Sequence, residues 1–286
     1  MHTIKSLYNK IYNQLLNFNF CSVQTETEII LIKTLGITKT EIYTNPDQII
    51  SKEKFTEIEN CLSLRLQHKP IAYIFKETEF FGLNFYVDEN VLIPRQETEL
   101  LVEESLNLIL KKDIKSFADI GTGSGNIVVS IVKNIPLNSN YDIYATDISL
   151  LALDIAKKNS KLNFIEDKIN FVLTDKLNYF LEHQIKLDLI VSNPPYVTEY
   201  EYKNLQPEIY YEPKLALVSP TGLEFYEYFA KNGKEVLNQA GYFVLEINSN
   251  LLKEIINIFE KHGFKIEKVV YDYQKLPRVI VVSFDS

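Results

Sequence analysis

Ser116-Phe117-Ala118-Asp119-Ile120-Gly121-Thr122-Gly123-Ser124-Gly125 reads as a short strand running straight into a glycine loop. Small residues let a backbone turn tightly and approach a ligand closely. Ile127 to Lys133 follows as a helix, and the first turn of a helix exposes unpaired N–H groups. Dinucleotide-binding folds hold a pyrophosphate at such an end. Here the spacing is Gly-x-Gly-x-Gly rather than Gly-x-Gly-x-x-Gly, and Asp119 sets a carboxylate two residues before the first glycine. A carboxylate at that strand end repels phosphate and suits a cationic or amine-bearing ligand.

Working outward, strand and helix patterns alternate. Glu97 to Leu110 is amphipathic, Asp142 to Thr146 is a strand ending at Asp147, and Ser149 to Lys161 is a helix with Leu151, Ala152 and Ile155 on its apolar face. Ile169 to Leu173 and Leu187 to Val191 are further strands, ending near Asp175 and at Asn193. Tyr242 to Ile247 and Val279 to Phe284 are apolar strand candidates around a helix from Leu251 to Lys261, closed by Gly263. This alternation predicts an α/β fold with a doubly wound, mostly parallel sheet.

Asp147 lies 22 residues beyond Gly125, where a carboxylate can accept both hydroxyls of a ribose. Asp175 ends a third strand, where a carboxylate or nearby backbone can meet an adenine edge. Asp119, Asp147 and Asp175 around one glycine loop describe a nucleoside site. The sulfonium of S-adenosylmethionine (SAM) suits that acidic rim better than the pyrophosphate of NAD, which stays as the alternative. A plain strand–helix turn with solvated aspartates is the bland reading, and the placement of Asp147 weighs against it.

Val191-Ser192-Asn193-Pro194-Pro195-Tyr196-Val197 follows the next strand. Two prolines fix φ and remove two backbone donors. What they leave is a stiff loop of carbonyls, an Asn side chain and an aromatic ring. Such a loop suits a planar NH₂ group: the Asn193 oxygen and the Pro194 carbonyl each accept one hydrogen, and Tyr196 packs on the flat face. An amide or aryl nitrogen is a weak nucleophile, and accepting both its hydrogens pushes electron density onto it. A merely rigid turn is the competing reading, but carboxyl ends of strands are where doubly wound sheets place ligands.

The N-terminal part is different. Ile4, Leu7, Tyr8, Ile11, Leu15 and Leu16 recur at helical spacing, Thr25 to Leu35 ends at Gly36, and a third helix from Ser51 carries Phe55, Ile58, Cys61, Leu62 and Arg65 until Pro70 stops it. Residues 1–70 read as a helical packing or recruitment domain, 71–93 as a β-hairpin connector and 94–286 as the catalytic domain. The chain has 286 residues, 46% hydrophobic and 24% charged, with a net charge of −8. That balance excludes a largely disordered chain and disfavours affinity based on neutralising phosphates. Cys21 and Cys61 lack metal-ligand spacing, and His2, His68, His183 and His262 are scattered, so no metal is expected. No apolar run approaches the ~18 residues of a membrane span, and the first twenty residues lack a signal-peptide core. A cytoplasmic monomer is expected.

With those residues in place, the chain resembles the PrmC/HemK family, which N5-methylates the glutamine of peptide chain release factors. The likeness runs through Pro70-Ile71-Ala72-Tyr73-Ile74, Phe80-Phe81-Gly82-Leu83 and Leu92-Ile93-Pro94-Arg95-Gln96-Glu97-Thr98-Glu99. It continues through the glycine loop, Ser192-Asn193-Pro194-Pro195-Tyr196, Tyr211-Glu212-Pro213 and Arg278-Val279. The resemblance implies a SAM-dependent methyltransferase (Rossmann-like) domain preceded by a small helical bundle and a β-hairpin linker. It implies SAM held by Asp119, Gly121, Thr122, Gly123, Ser124 and Gly125, with Asp147 on the ribose, Asp175 and Lys176 by the adenine, and Asn193 touching cofactor and substrate. Asn193, Pro194, Pro195 and Tyr196 would hold the glutamine of a Gly-Gly-Gln loop, with Asn193, Pro194 and Tyr196 catalytic. Release factors are the implied partner, with no membrane and no direct nucleic-acid binding. Adenine-N6 methylation of DNA or RNA is the alternative, since the same loop can hold a flipped-out exocyclic NH₂. Gln96, Phe75-Lys76 and Asn248 depart from the family's usual Pro, Gly and Gly, which bears on loop shape and partner affinity more than on methyl transfer.

Overall fold

The architecture comes from a computed structural model, which describes residues 2–136 and 141–284. Two compact units emerge: Met1–Lys76 with Pro207–Tyr211, and Glu77–Gln206 with Glu212–Ser286.

In the first unit, a short strand β1 (His2–Thr3) leads into α1 (Ile4–Asn17), where Thr3 and Ser6 form a reciprocal capping box. Ile4, Leu7, Ile11 and Leu15 are its buried face. Leu16, expected on that face, is 51% exposed; one residue past Leu15 the helix has turned by about 100°. α2 (Val23–Leu35) ends at Gly36 with φ 68°, a left-handed cap. α3 (Lys39–Thr44), not anticipated from the sequence, is opened by a Thr38–Glu41 capping box. β2 (Ile49–Ile50) pairs with β1, and Ser51 caps α4 (Lys52–Leu66). Pro70 does not end that helix; it sits at the N-cap of α5 (Ile71–Phe75), where its missing N–H costs nothing. Arg65 is buried rather than part of the apolar stripe. Its guanidinium donates to Glu26 at 2.6 and 3.0 Å and to Glu208 at 3.0 Å, and lies 3.9 Å from the Phe20 ring centre.

The second unit opens with a hairpin, β3 (Glu77–Phe80) and β4 (Leu83–Tyr86). The range 71–93, expected as one hairpin connector, therefore divides. Residues 71–75 are helical, and Phe80 and Phe85 carry the hairpin into the core of the second unit beside Leu101 and Val102. Then come α6 (Glu99–Lys111), β5 (Ser116–Ile120), α7 (Asn126–Asn134), β6 (Asp142–Asp147), α8 (Leu150–Leu162), β7 (Asn170–Leu173), α9 (Asn178–Glu182) and β8 (Leu187–Ser192). The chain closes with α10 (Glu199–Tyr202), α11 (Glu224–Val236), β9 (Leu237–Glu246), α12 (Leu252–Lys261), β10 (Lys265–Tyr271) and β11 (Pro277–Ser283).

Seven strands form one sheet in the order β10-β11-β9-β8-β5-β6-β7. Pairs from β7 through β9 are parallel, and β11 runs antiparallel to both β9 and β10. Strand alternation feeds two cores: Phe117 points into the one built with α6 and α7, Ala118 and Ile120 into the one built with α9, α11 and α12. The sheet is thus doubly wound and mostly parallel. The chain leaves β5 toward β6 on one side and returns to β8 on the other. The crevice at the carboxyl ends of β5 and β8 is where such sheets bind ligands. Among the described residues, no helix is long and apolar enough to cross a membrane.

Candidate functional site

The glycine loop is held from both sides. Gly121 and Thr122 donate their N–H groups to the Thr146 carbonyl at 2.8 Å. Gly123, at φ 54°, donates its N–H to Asp147 Oδ2 at 2.9 Å. Ser149 donates its N–H to Asp147 Oδ1 at 2.9 Å. Each oxygen of Asp147 keeps a further lone pair for a ligand, and burial raises the acid's pKa against those two hydrogen bonds. Asn159, a residue the sequence reading passed over, ties the loop to the hairpin. Its Nδ2 donates to the carbonyls of Ser124 (2.8 Å) and Tyr86 (2.9 Å), and its Oδ1 accepts the Tyr86 N–H.

Asp119 does not face a ligand. It is fully buried beneath the loop, where Oδ2 accepts the Thr122 hydroxyl at 2.7 Å and the Val128 N–H at 3.3 Å. Oδ1 has no partner. Burial pushes its pKa up to about 7 despite those two bonds, and the charge of Asp147 adds to the rise. The carboxylate expected on the acidic rim is a support, because α7 begins directly over it.

A cavity of about 330 Å³ opens at the crevice, within the size range of small-molecule sites. Gly121, Thr122, Gly123, Ser124, Asp147, Asp175, Lys176, Asn193, Pro194 and Pro195 line it. Asp119, Gly125 and Tyr196 do not. Lys176 Nζ pairs with Asp175 at 3.0 Å and lies 5.0 Å from the ring centre of Phe225, which also lines the cavity. Arg95 also lines the cavity but is paired with Glu212 at 2.6 Å, so with both cations neutralised the wall has little to offer a pyrophosphate. Its two acids, aromatic ring and glycine loop fit a nucleoside bearing a cationic sulfonium.

A second, narrow hollow of about 50 Å³ adjoins it, and Leu92, Arg95, Asn193, Pro194, Pro195 and Ala216 line both. Tyr196 borders only the narrow one. The Ser192 hydroxyl pins the start of this loop to the Ile120 carbonyl at 2.7 Å. Asn193 Nδ2 donates to Thr98 Oγ1 at 3.3 Å, and Thr98 donates to Glu246 Oε2 at 2.7 Å. Tyr196 donates its phenol to Glu246 Oε1 at 3.0 Å, and Tyr226 donates to the Glu246 carbonyl at 2.8 Å. Glu246 is buried, which raises its pKa. Burial and the adjacent Glu246 charge push the Tyr196 phenol up as well. Neither Thr98 nor Glu246 was assigned a role from sequence, although Thr98 falls inside a quoted family element and Glu246 inside the strand expected over Tyr242 to Ile247.

Residues 96–220 match the family description "Methyltransferase small domain", and residues 7–75 match "PrmC N-terminal domain". A release factor glutamine methyltransferase of Chlorobaculum tepidum is 34% identical over 88% of this chain and 87% of its own. One of Flavobacterium psychrophilum is 39% identical over 90% of each. Among solved structures, the hMettl16 catalytic domain aligns with a TM-score of 0.56 at 19% identity, over 82% of this chain and 83% of that one; at that identity the likeness concerns the fold. The identity across nearly the whole length, over both the helical and the α/β parts, shows that the chain belongs to the release factor glutamine methyltransferase family.

Proposed function

We propose that this protein transfers a methyl group from SAM to the side-chain amide nitrogen (N5) of the glutamine in the Gly-Gly-Gln motif of peptide chain release factors. The observation that carries the reading is the position of Asn193, Pro194 and Pro195 on the wall shared by a nucleoside-sized cavity and a narrow hollow. A slender side chain entering the narrow hollow meets the cofactor cavity at those residues. The flanking glycines of the motif are small enough to follow it to the mouth.

Gly121 to Ser124, Asp147, Asp175 and Lys176 are the residues that would hold SAM. When bound, SAM supplies an electrophilic methyl on a sulfonium. The chain's own part is placement. The Asn193 oxygen and the Pro194 carbonyl accept the two N–H groups of the glutamine amide, which sets its plane and aims its nitrogen at the cavity. The methyl's bond to the sulfonium sulfur would break as its bond to nitrogen forms, its electron pair returning to sulfur in S-adenosylhomocysteine, and the two acceptors stabilise the positive charge that grows on nitrogen. One N–H proton then leaves to water, so no strong base is needed beforehand. Alignment of two reactants can lower a barrier by about 7–11 kcal/mol relative to free encounter. Tyr196 borders the narrow hollow and supplies an aromatic wall to the planar amide. The helical unit would recruit the release factor, and the pair would meet in the cytoplasm.

The test is intact-mass analysis of purified release factor after incubation with this protein and SAM, followed by peptide mapping. One added methyl on the Gly-Gly-Gln glutamine is expected. An unmodified release factor, with SAM binding demonstrated separately, would overturn the reading and direct attention to adenine in DNA and RNA.

A further inference from the structure

We propose that Thr98 and Glu246 are positioning residues that decide which end of the Asn193 amide faces the reacting nitrogen. The inference rests on the methyl-transfer reading above, in which the Asn193 oxygen accepts a substrate N–H. An Asn side chain has a donor end and an acceptor end of nearly equal shape. Packing alone does not distinguish them, so something polar must.

The polarity runs from Glu246 outward. A carboxylate only accepts hydrogen bonds. Glu246 Oε2 therefore takes the Thr98 hydroxyl hydrogen at 2.7 Å, and Oε1 takes that of Tyr196 at 3.0 Å. With its hydrogen committed to Glu246, Thr98 Oγ1 can only accept on its other side, where Asn193 lies at 3.3 Å. The NH₂ end of Asn193 is the one that satisfies it. The oxygen is the end left to the wall of the two hollows, which is the end the substrate amide needs. One buried carboxylate at the end of β9 thus registers positions 193 and 196 of the same loop. Glu246 is itself anchored, since its carbonyl accepts the Tyr226 hydroxyl at 2.8 Å.

Protonation would reverse the chain. A neutral Glu246 can donate to Thr98, Thr98 can then donate to Asn193, and Asn193 turns its oxygen inward and its NH₂ outward. That presents a donor to a substrate N–H. The other groups acting on Glu246 are Tyr196, Tyr226 and Thr98, with Glu97 and Arg278 as the nearby charges of opposite sign. Activity should accordingly fall on the acid side as Glu246 takes up its proton.

The experiment uses the full chain and the variants Thr98→Val, Thr98→Ser, Glu246→Gln and Thr98→Val/Glu246→Gln. Thr98→Val and Glu246→Gln should each lower kcat on the order of 10²-fold, as a misplaced reactant does, with SAM affinity within about twofold of wild type. The double variant should be no worse than the worse single one, because both act through one bond. Thr98→Ser, which keeps the hydroxyl, should restore most of kcat, and Glu246→Gln should abolish the acid limb of the kcat profile. A folded Thr98→Val protein with wild-type kcat, or losses that multiply in the double variant, would overturn the relay. A second readout is independent of turnover: hydrogen exchange of the ¹⁵N-labelled Asn193 side-chain NH₂. Protection in wild type and Thr98→Ser, lost in Thr98→Val, is expected. An unprotected wild-type NH₂ would sink the proposal whether or not release factor is methylated. Absence of methylation with the NH₂ protection pattern intact would instead count against the substrate reading alone.

Discussion

Gly125 and Ala156 approach so closely that a Cβ on residue 125 would lie 3.1 Å from the Ala156 Cβ and 3.2 Å from its Cα. Gly125 also holds φ at 78° as the N-cap of α7. A side chain there meets two penalties: a left-handed backbone, at about 1–2 kcal/mol, and a helix backbone that cannot yield like a flexible side-chain tip. Gly125→Ala should lower stability by about 1–3 kcal/mol and weaken SAM binding, because the loop that lines the cavity must shift. Gly36→Ala is the matched control: its φ is 68°, but nothing lies within 4 Å of the new Cβ. Urea unfolding of both variants and calorimetric titration of SAM would separate strain from crowding. Equal losses in the two would refute the role given to Ala156.

Asn193→Ala removes the acceptor proposed to aim the amide nitrogen while leaving the glycine loop and Asp147 untouched. The expected result is a fall in kcat of about 10²–10³-fold, the scale found when one transition-state hydrogen-bond partner is deleted. SAM should still bind. Turnover close to wild type would remove Asn193 from the mechanism.

Much of this site was legible because its parts are local in sequence. Ser116–Ile120 and the glycine loop lie side by side, and Asn193 to Tyr196 follow their strand directly. Four elements of the second unit escaped, and two of them, α9 and α10, are only five and four residues long, too short to show a period. α11 is built from Glu224-Phe225-Tyr226-Glu227-Tyr228-Phe229, aromatic residues that favour strands as much as helices, and its spacing of Tyr226, Phe229, Ala230 and Gly233 shows helical only once the buried face is known. β10 is an edge strand carrying Lys265, Glu267 and Lys268, a charge load that protects an edge but hides its alternation. Glu246 escaped for a different reason. It ends an apolar strand, as an exit residue would, and its burial depends on Thr98 and Tyr196, which lie 148 and 50 residues away. Asp119 was legible as the acid near the end of its strand but not in its placement, since burial under α7 is a property of the packed helix.

Arg95, which lines the narrow hollow, is held by Glu212. The guanidinium donates to Glu212 Oε1 at 2.6 Å, and Oε2 accepts the Ile93 N–H at 3.1 Å. The Glu212 side chain is 1% exposed and that of Arg95 33%. Arg95→Ala leaves a buried carboxylate with one backbone partner, a loss of about 1–3 kcal/mol after allowing for the solvent that reaches Arg95. Arg95 and Ala216 line the hollow, so KM for release factor should rise several-fold, roughly the effect of one lost hydrogen bond. Steady-state kinetics with varied release factor would check it; an unchanged KM with the stability loss present would confine the pair to a structural role.

Asp119 makes a distinct prediction about pH. Its pKa in the folded protein is raised to about 7 from an ordinary 3.8, first by burial. Below the lower value both folded and unfolded chains hold the proton, and the contribution to stability is fully present. Between the two values the folded chain holds a proton that the unfolded chain has released, so stability falls as pH rises, by about 1.4 kcal/mol per unit. The total is about 4 kcal/mol, lost by the time pH has passed through the folded value. Asp119→Asn keeps an oxygen for Thr122 and Val128 and has no proton to lose. The stability of wild type minus that of Asp119→Asn should therefore decline between about pH 5 and pH 7 and level off above it. Urea unfolding of both proteins across that range measures the difference directly. A difference that stays flat or rises with pH would show that the Asp119 acid is ionised beneath the loop, held by a partner beyond Thr122 and Val128.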